Sequence, residues 1–285
     1  MLKISLFYAV VTVCIGLGYV RPVLAGGEPQ WDLLIFTQRW PITVCLDWES
    51  KGPNHTCAMS DKPDEWKVHG IWPTRLHTMG PAFCNKTWHF DPEEVRPIES
   101  NLTEKWTNIE IEGASYSFWA HEWNKHGTCA APVVEAINTQ LKYFTQGLKL
   151  LSMYSMTDIL SSAGIIPTYT SYYYYYNSYS LADINRAIKQ RLGVNPVIEC
   201  REFHGKNYLF ELRVCFNKHF EFENCDGVVT SDDISKIFLE GDQILTNCQP
   251  DNYIVYPLSD NFGKPPNMLY VQLYKFIEWL QWFTL

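Results

Sequence analysis

Eight cysteines set behind an apolar N-terminal segment constrain this chain more than any other feature of its 285 residues. A ninth, Cys14, lies within positions 4–20, which are almost wholly apolar and follow Lys3, and Val23, Leu24 and Ala25 then supply a small-residue cleavage pattern. That order reads as a secretory signal peptide over 1–25, with a mature chain 26–285. The apolar run is slightly long for a signal core and slightly short for a membrane span, so an uncleaved anchor is the other reading. With Cys14 removed, Cys45, Cys57, Cys84, Cys129, Cys200, Cys215, Cys225 and Cys248 form an even set. Behind a signal segment, such a set predicts an oxidising compartment and a disulfide framework. Eight cysteines allow about 105 pairings, so the count selects none of them.

Three N-glycosylation sequons, at Asn54, Asn85 and Asn101, agree with passage through the secretory route. Their clustering predicts one exposed face carrying N-glycans. The chain is 46% hydrophobic, enough to bury a substantial core, and no composition break divides it, so a single domain is expected. Its net charge is -8, which speaks against binding a polyanion through a broad basic patch. A local positive site, helped by protonated histidines in an acidic compartment, is expected to supply what the overall charge does not.

Trp31 to Gln38 reads as a buried strand whose apolar run is broken by Pro41, and Val68 to Pro73 as a second, short strand. Residues 49–65 are turn-rich, and positions 91–107 and 133–163 carry helical spacing. Ser180 suits a helix N-cap, with Asp183 in the first turn and Leu181, Ile184 and Ile188 on one face. Residues 207–217 and 268–274 read as further strands. The mixture predicts an α+β domain, a central antiparallel sheet flanked by helices, rather than repeated βαβ units. The five tyrosines at 172–176 fit a surface loop, since consecutive side chains cannot all face one partner. The aromatic tail 276–285 is expected to pack against the domain, with no stable membrane association.

Two segments carry the chemistry: Lys67-Val68-His69-Gly70-Ile71-Trp72-Pro73-Thr74, and residues 117–129 with His121, Glu122, Lys125 and His126 among Phe118, Trp119 and Trp123. Ionisable groups crowded among aromatics are costly unless they pair or act. A zinc-peptidase reading needs two histidines four apart on one helical face. His121 and His126 are five apart, roughly 140° out of register at about 100° per residue, so neither metal nor cofactor is expected. Glu122, Lys125 and His126 share a helical face instead. Adding His69 gives two imidazoles, a set suited to cleaving RNA, whose ribose 2′-hydroxyl is the nucleophile. One neutral histidine takes the hydroxyl proton and one protonated histidine gives a proton to the departing 5′-oxygen. Lys125 offsets charge on the phosphorane, DNA is inert for want of the hydroxyl, and the first product is a 2′,3′-cyclic phosphate. Which histidine takes which role is not readable at this level.

The segments His-Gly-Ile-Trp-Pro at 69–73 and Phe-Trp-Ala-His-Glu-Trp-Asn-Lys-His-Gly-Thr-Cys at 118–129 resemble the two active-site segments of the ribonuclease T2 family of acid endoribonucleases. The likeness spans roughly Trp31 to Pro257; Ile71 stands where Leu is usual, a swap harmless in volume. It implies single-stranded RNA as substrate, His69 and His126 as the acid/base pair, and Glu122 and Lys125 at the phosphate. It further implies that His121 helps hold that phosphate, that Trp72 stacks on a base and that Gln38 lines a second base site. Thr74 stands where some relatives carry an acidic residue, leaving base preference open. The resemblance also implies the pairings Cys45 with Cys57, Cys84 with Cys129, Cys200 with Cys248 and Cys215 with Cys225. A monomeric enzyme is expected, secreted or delivered to a lysosomal or endosomal compartment, with an acidic optimum. The competing reading is a secreted glycoprotein acting mainly by binding or uptake into cells, with cleavage secondary.

Overall fold

The computed structural model describes residues 30–111, 114, 116–168, 178–229, 235–239 and 242–259. The signal segment, the tyrosine run, the strand expected at 268–274 and the aromatic tail lie outside the described residues. The strands are β1 (Leu33–Arg39), β2 (Lys67–Thr74), β3 (Ser178–Tyr179), β4 (Val197–Phe203), β5 (Lys206–Phe216), β6 (Phe222–Glu223), β7 (Ser235–Leu239), β8 (Asp242–Thr246) and β9 (Ile254–Val255). The helices are α1 (Pro41–Ser50), α2 (Pro92–Val95), α3 (Glu99–Lys105), α4 (Ser117–Glu122), α5 (Thr128–Ala130), α6 (Gln140–Met153), α7 (Met156–Ser162) and α8 (Leu181–Leu192).

These elements form the expected α+β domain around one sheet, whose main path runs β2-β1-β5-β4-β8-β7. From β2 to β4 every pairing is antiparallel. Beyond that the sheet is mixed, because β8 runs parallel to β4 and β9 parallel to β5. The β4–β5 hairpin is a two-residue connection, with Phe203 paired to Lys206 and both His204 (φ 52°) and Gly205 (φ 72°) left-handed. Such a turn matches the strand twist and admits only antiparallel pairing, whereas the long connection back to β8 permits either sense.

Helix ends follow local chemistry. Pro41 does more than interrupt the first strand: it opens α1, where its missing N–H and fixed φ are an advantage. Ser180 caps α8 as expected, its Oγ accepting from the Asp183 N–H at 3.0 Å, with Leu181, Ile184 and Ile188 buried. Helix α6 packs on β1 and β2 through Tyr143, Phe144, Leu150 and Leu151. Leu34, Phe36, Leu212, Val214 and Phe216 fill the same core from the sheet. The opposite face of β1, β2 and β5 carries Ile35, Trp72 and a row of charged residues. All four disulfides join the pairs implied by the family resemblance.

Candidate active site

A cleft of about 470 Å³ opens on that second face and is lined by His69, Trp72, Glu122, Lys125, His126 and Glu211 among others. Irregularities of the backbone build it, two of them at the histidines. In a regular strand His69 and Trp72, three apart, would point to opposite faces. However, Thr37 pairs with Gly70 and Gln38 with Val68, which leaves His69 as the extra residue of a β-bulge in β2. A bulge re-aims the side chains on one side of it, so both residues face the cleft while Val68 and Ile71 remain in the core. The Trp106 Nε1–H donates to the His69 carbonyl at 2.8 Å and pins the bulge. Gly70 is required next to it, because a Cβ there would collide with the Trp72 Nε1 and the Glu122 Oε2.

The second irregularity lies in the histidine-rich segment. Helix α4 ends at Glu122 and continues as a π-helical turn over Trp123–Gly127, closed by a hydrogen bond from the Thr128 N–H to the Trp123 carbonyl. A π-turn fits more residues per turn than an α-helix and is frequent at functional sites. It brings His121 and His126, five apart, to the same cleft. The angular mismatch expected for an α-helix therefore does not hold. What bears on metal binding is distance: among the described residues, one trio of ligand atoms lies close enough to share an ion, Cys45, Glu49 and Cys57, and its two sulfurs are already joined to each other. The Cys84–Cys129 disulfide and the Phe83 N–H, which donates to the Lys125 carbonyl at 2.9 Å, tie this segment to the loop opposite.

The two imidazoles meet different surroundings. The His69 Nδ1 lies 2.5 Å from Glu211 Oε1, and its Nε2 lies 3.8 Å from Glu122 Oε1. Trp72 donates its Nε1–H to Glu122 Oε2 at 2.8 Å. The Trp72 ring touches both histidines, edge-on to His69 at 4.9 Å and stacked on His126 at 5.2 Å, and the Arg213 guanidinium lies 5.0 Å from its centre. His126 has a buried Nδ1 with no hydrogen-bond partner among the described residues. Burial pushes its imidazole well below the usual histidine value, with Lys125 and His121 adding to the shift. His121 is lowered too, first by partial burial and then by the Lys125 ammonium. Burial raises the Glu122 carboxyl against the attraction of His69 and the Trp72 hydrogen bond. Burial also pushes Glu211 upward, but His69 and Arg213 together override it and hold that carboxyl down at about 2.

His69, His121, Glu122, Lys125, His126 and Trp72 are thus brought together. Gln38 is not. It is fully buried, its Nε2–H donates to the Tyr154 carbonyl at 2.7 Å and its Oε1 accepts from the Met156 N–H at 3.1 Å. Both ends of its amide are spent on joining β1 to the start of α7. Sequence reasoning missed Glu211 and Arg213. The signal was present in Phe210-Glu211-Leu212-Arg213-Val214, where charges at period two interrupt an apolar strand. The three sequon asparagines, Asn54, Asn85 and Asn101, are all exposed.

An α+β domain with four disulfides and two imidazoles around one tryptophan defines a class of protein, and residues 31–225 match the Ribonuclease T2 family. The chain belongs to that family of endoribonucleases. It is 38% identical over 201 residues to ribonuclease Oy of Magallana gigas, covering 69% of this chain and 88% of that relative. To ribonuclease T2 of Homo sapiens it is 36% identical over 201 residues, covering 69% and 71%. The crystal structure of human RNase T2 superposes with a TM-score of 0.60 at 29% identity, over 80% of this chain and 98% of that one. RNase NT, solved in complex with 5′-AMP, shares the fold with a TM-score of 0.60 at 24% identity, over 80% and 98%.

Proposed function

We propose that the protein cleaves single-stranded RNA by transphosphorylation, giving 2′,3′-cyclic phosphates and then 3′-phosphate ends without a metal ion. The observation that carries this reading is the contrast of two imidazoles in contact with one ring. His126, whose imidazole burial pushes well below the usual histidine value, is the base: it accepts the 2′-hydroxyl proton as the oxygen attacks phosphorus. His69, set between two carboxylates, is the acid: its Nε2 delivers a proton to the 5′-oxygen as the P–O5′ bond breaks. Lys125 faces the charge that develops on the phosphorane, with Glu122 beside it. His121 helps hold the phosphate, and the exposed remainder of Trp72 is left for a base. Gln38, with both amide ends occupied, is left out of base recognition.

The acidic overall charge is reconciled locally. Four cationic side chains line the cleft, Lys51, Lys125, Arg201 and Arg213, against the four carboxylates Asp47, Glu110, Glu122 and Glu211. The three histidines therefore decide its sign, and acid makes it positive. The exposed sequons support N-glycans and a secretory route, outside the cell or to a lysosomal or endosomal compartment. No helix among the described residues is long and apolar enough to cross a membrane.

Incubation of the purified protein with a single-stranded RNA and with DNA of the same sequence, each with and without EDTA, tests the proposal. Cyclic phosphate should appear from RNA alone, at the same rate in chelator. Cleavage of the DNA, or loss of RNA cleavage in EDTA, overturns it.

A further inference from the structure

We infer that Glu211 is a positioning residue for His69: from β5 its carboxylate holds the Nδ1–H, so that Nε2 is the nitrogen presenting a proton to the leaving 5′-oxygen. This rests on the acid role of His69 proposed above. Glu211 is 1% exposed, and a carboxylate taken out of water costs several kcal/mol unless its oxygens are well paired. Both are paired. Oε1 meets the His69 Nδ1 at 2.5 Å, and Oε2 accepts from the Arg213 Nη2–H at 3.1 Å. The same Arg213 nitrogen lies 2.6 Å from Glu199 Oε1 on β4, and Glu211 pairs across the sheet with Glu199 on one side and Arg39 on the other.

Apolar residues of similar volume often replace such a row at no cost in stability or with a gain. Stability alone therefore does not call for this chain of buried charges, which ends on a quarter-exposed imidazole. The backbone is arranged for it. Glu199 pairs with Glu211 but Cys200 with Leu209, so Phe210 is the extra residue of a bulge in β5. Leu209 and Leu212 stay in the core, while Phe210 and Glu211 both line the cleft. An imidazole whose Nδ1–H is fixed by a carboxylate has its tautomer and ring plane set before substrate arrives. Mounted on a central strand, the carboxylate sits on one of the most rigid elements available.

Glu211→Gln and Glu211→Asp should be compared with the unaltered protein on two substrates: a dinucleoside monophosphate, whose 5′-oxygen needs a proton to leave, and a nucleoside 3′-(4-nitrophenyl phosphate), whose phenolate does not. The Gln variant should lose about 10- to 100-fold in kcat on the dinucleotide with KM changed by less than about threefold. On the nitrophenyl ester the loss should be less than about threefold, and Asp, which keeps the charge, should recover part of the dinucleotide rate. Equal losses on the two substrates, or no loss on either, overturn the inference. Should the Gln variant not fold, the 15N chemical shifts of His69 in the unaltered protein decide: a protonated Nδ1 supports the assignment, and an unprotonated Nδ1 overturns it. If the unaltered protein cleaves neither substrate, the proposed reaction fails, and the His69 shifts still report on the Glu211 contact by themselves.

Discussion

The His69 side of the cleft and the His126 side surround the same chemical group in opposite ways. His69 stands on a sheet, with a carboxylate at each ring nitrogen and an arginine behind one of them. His126 stands on a helical turn, half-buried, with a tryptophan ring stacked on it and no hydrogen bond to its Nδ1 among the described residues. Charge pairing favours the protonated form of an imidazole and desolvation the neutral form. The proposed division of acid and base between two residues of one type rests on that difference in surroundings.

Three measurements test that comparison. The largest effect should come from His69→Phe and His126→Phe, each lowering cyclic phosphate release from a dinucleotide by about a thousandfold or more. The two should part on a nitrophenyl ester, which recovers rate with His69→Phe but not with His126→Phe. Recovery with both, or with neither, breaks the assignment of acid and base. A middle effect is expected at Gly70, where a methyl group must displace Trp72 or Glu122. A shift of about 1 Å at a reacting group costs roughly a hundredfold, so Gly70→Ala should lose on that order in kcat while the urea midpoint moves little. An equal rate would show that neither side chain needs its present place.

The smallest effect concerns pH. Because burial lowers His126, its neutral form persists into acid, and the rising limb of kcat/KM against pH should lie below the ordinary histidine value of about 6.5. Lys125 contributes to that lowering. Lys125→Met should therefore move the limb upward, by less than about one unit, in addition to any loss of rate. A limb at or above the ordinary value contradicts a desolvated base. The same depression carries a stability consequence with a definite sign. A group lowered on folding binds more protons when unfolded, so the His126 contribution is complete above its unfolded value and is lost as pH falls below it.

Much of the site was legible because its residues cluster in two short segments whose chemistry is specific. Glu122, Lys125 and His126 line one cleft, though the helical wheel that grouped them is not the geometry the π-turn follows. The five-residue spacing of His121 and His126 was read as angular separation, and it is the extra residue in the turn that unites them. Gln38 was placed by family likeness, whereas the helix start it supports is reached through contacts more than a hundred positions away. Glu211 was missed for a related reason. Charges alternating along a strand look like a solvent-facing edge until the strand on each side of them is known.

The amino-acid sequence by itself determined the class of chemistry, the α+β mixture of elements, the Ser180 helix cap and an oxidised framework, because each rests on residues close together or on a simple count. Only the tertiary structure decided that the sheet is mixed and what surrounds each histidine. Those depend on register: one extra residue in β2, one in β5 and one π-turn choose which side chains meet. A bulge changes no residue type, so it leaves little trace in a sequence read by periodicity, yet it turns every side chain beyond it to the other face.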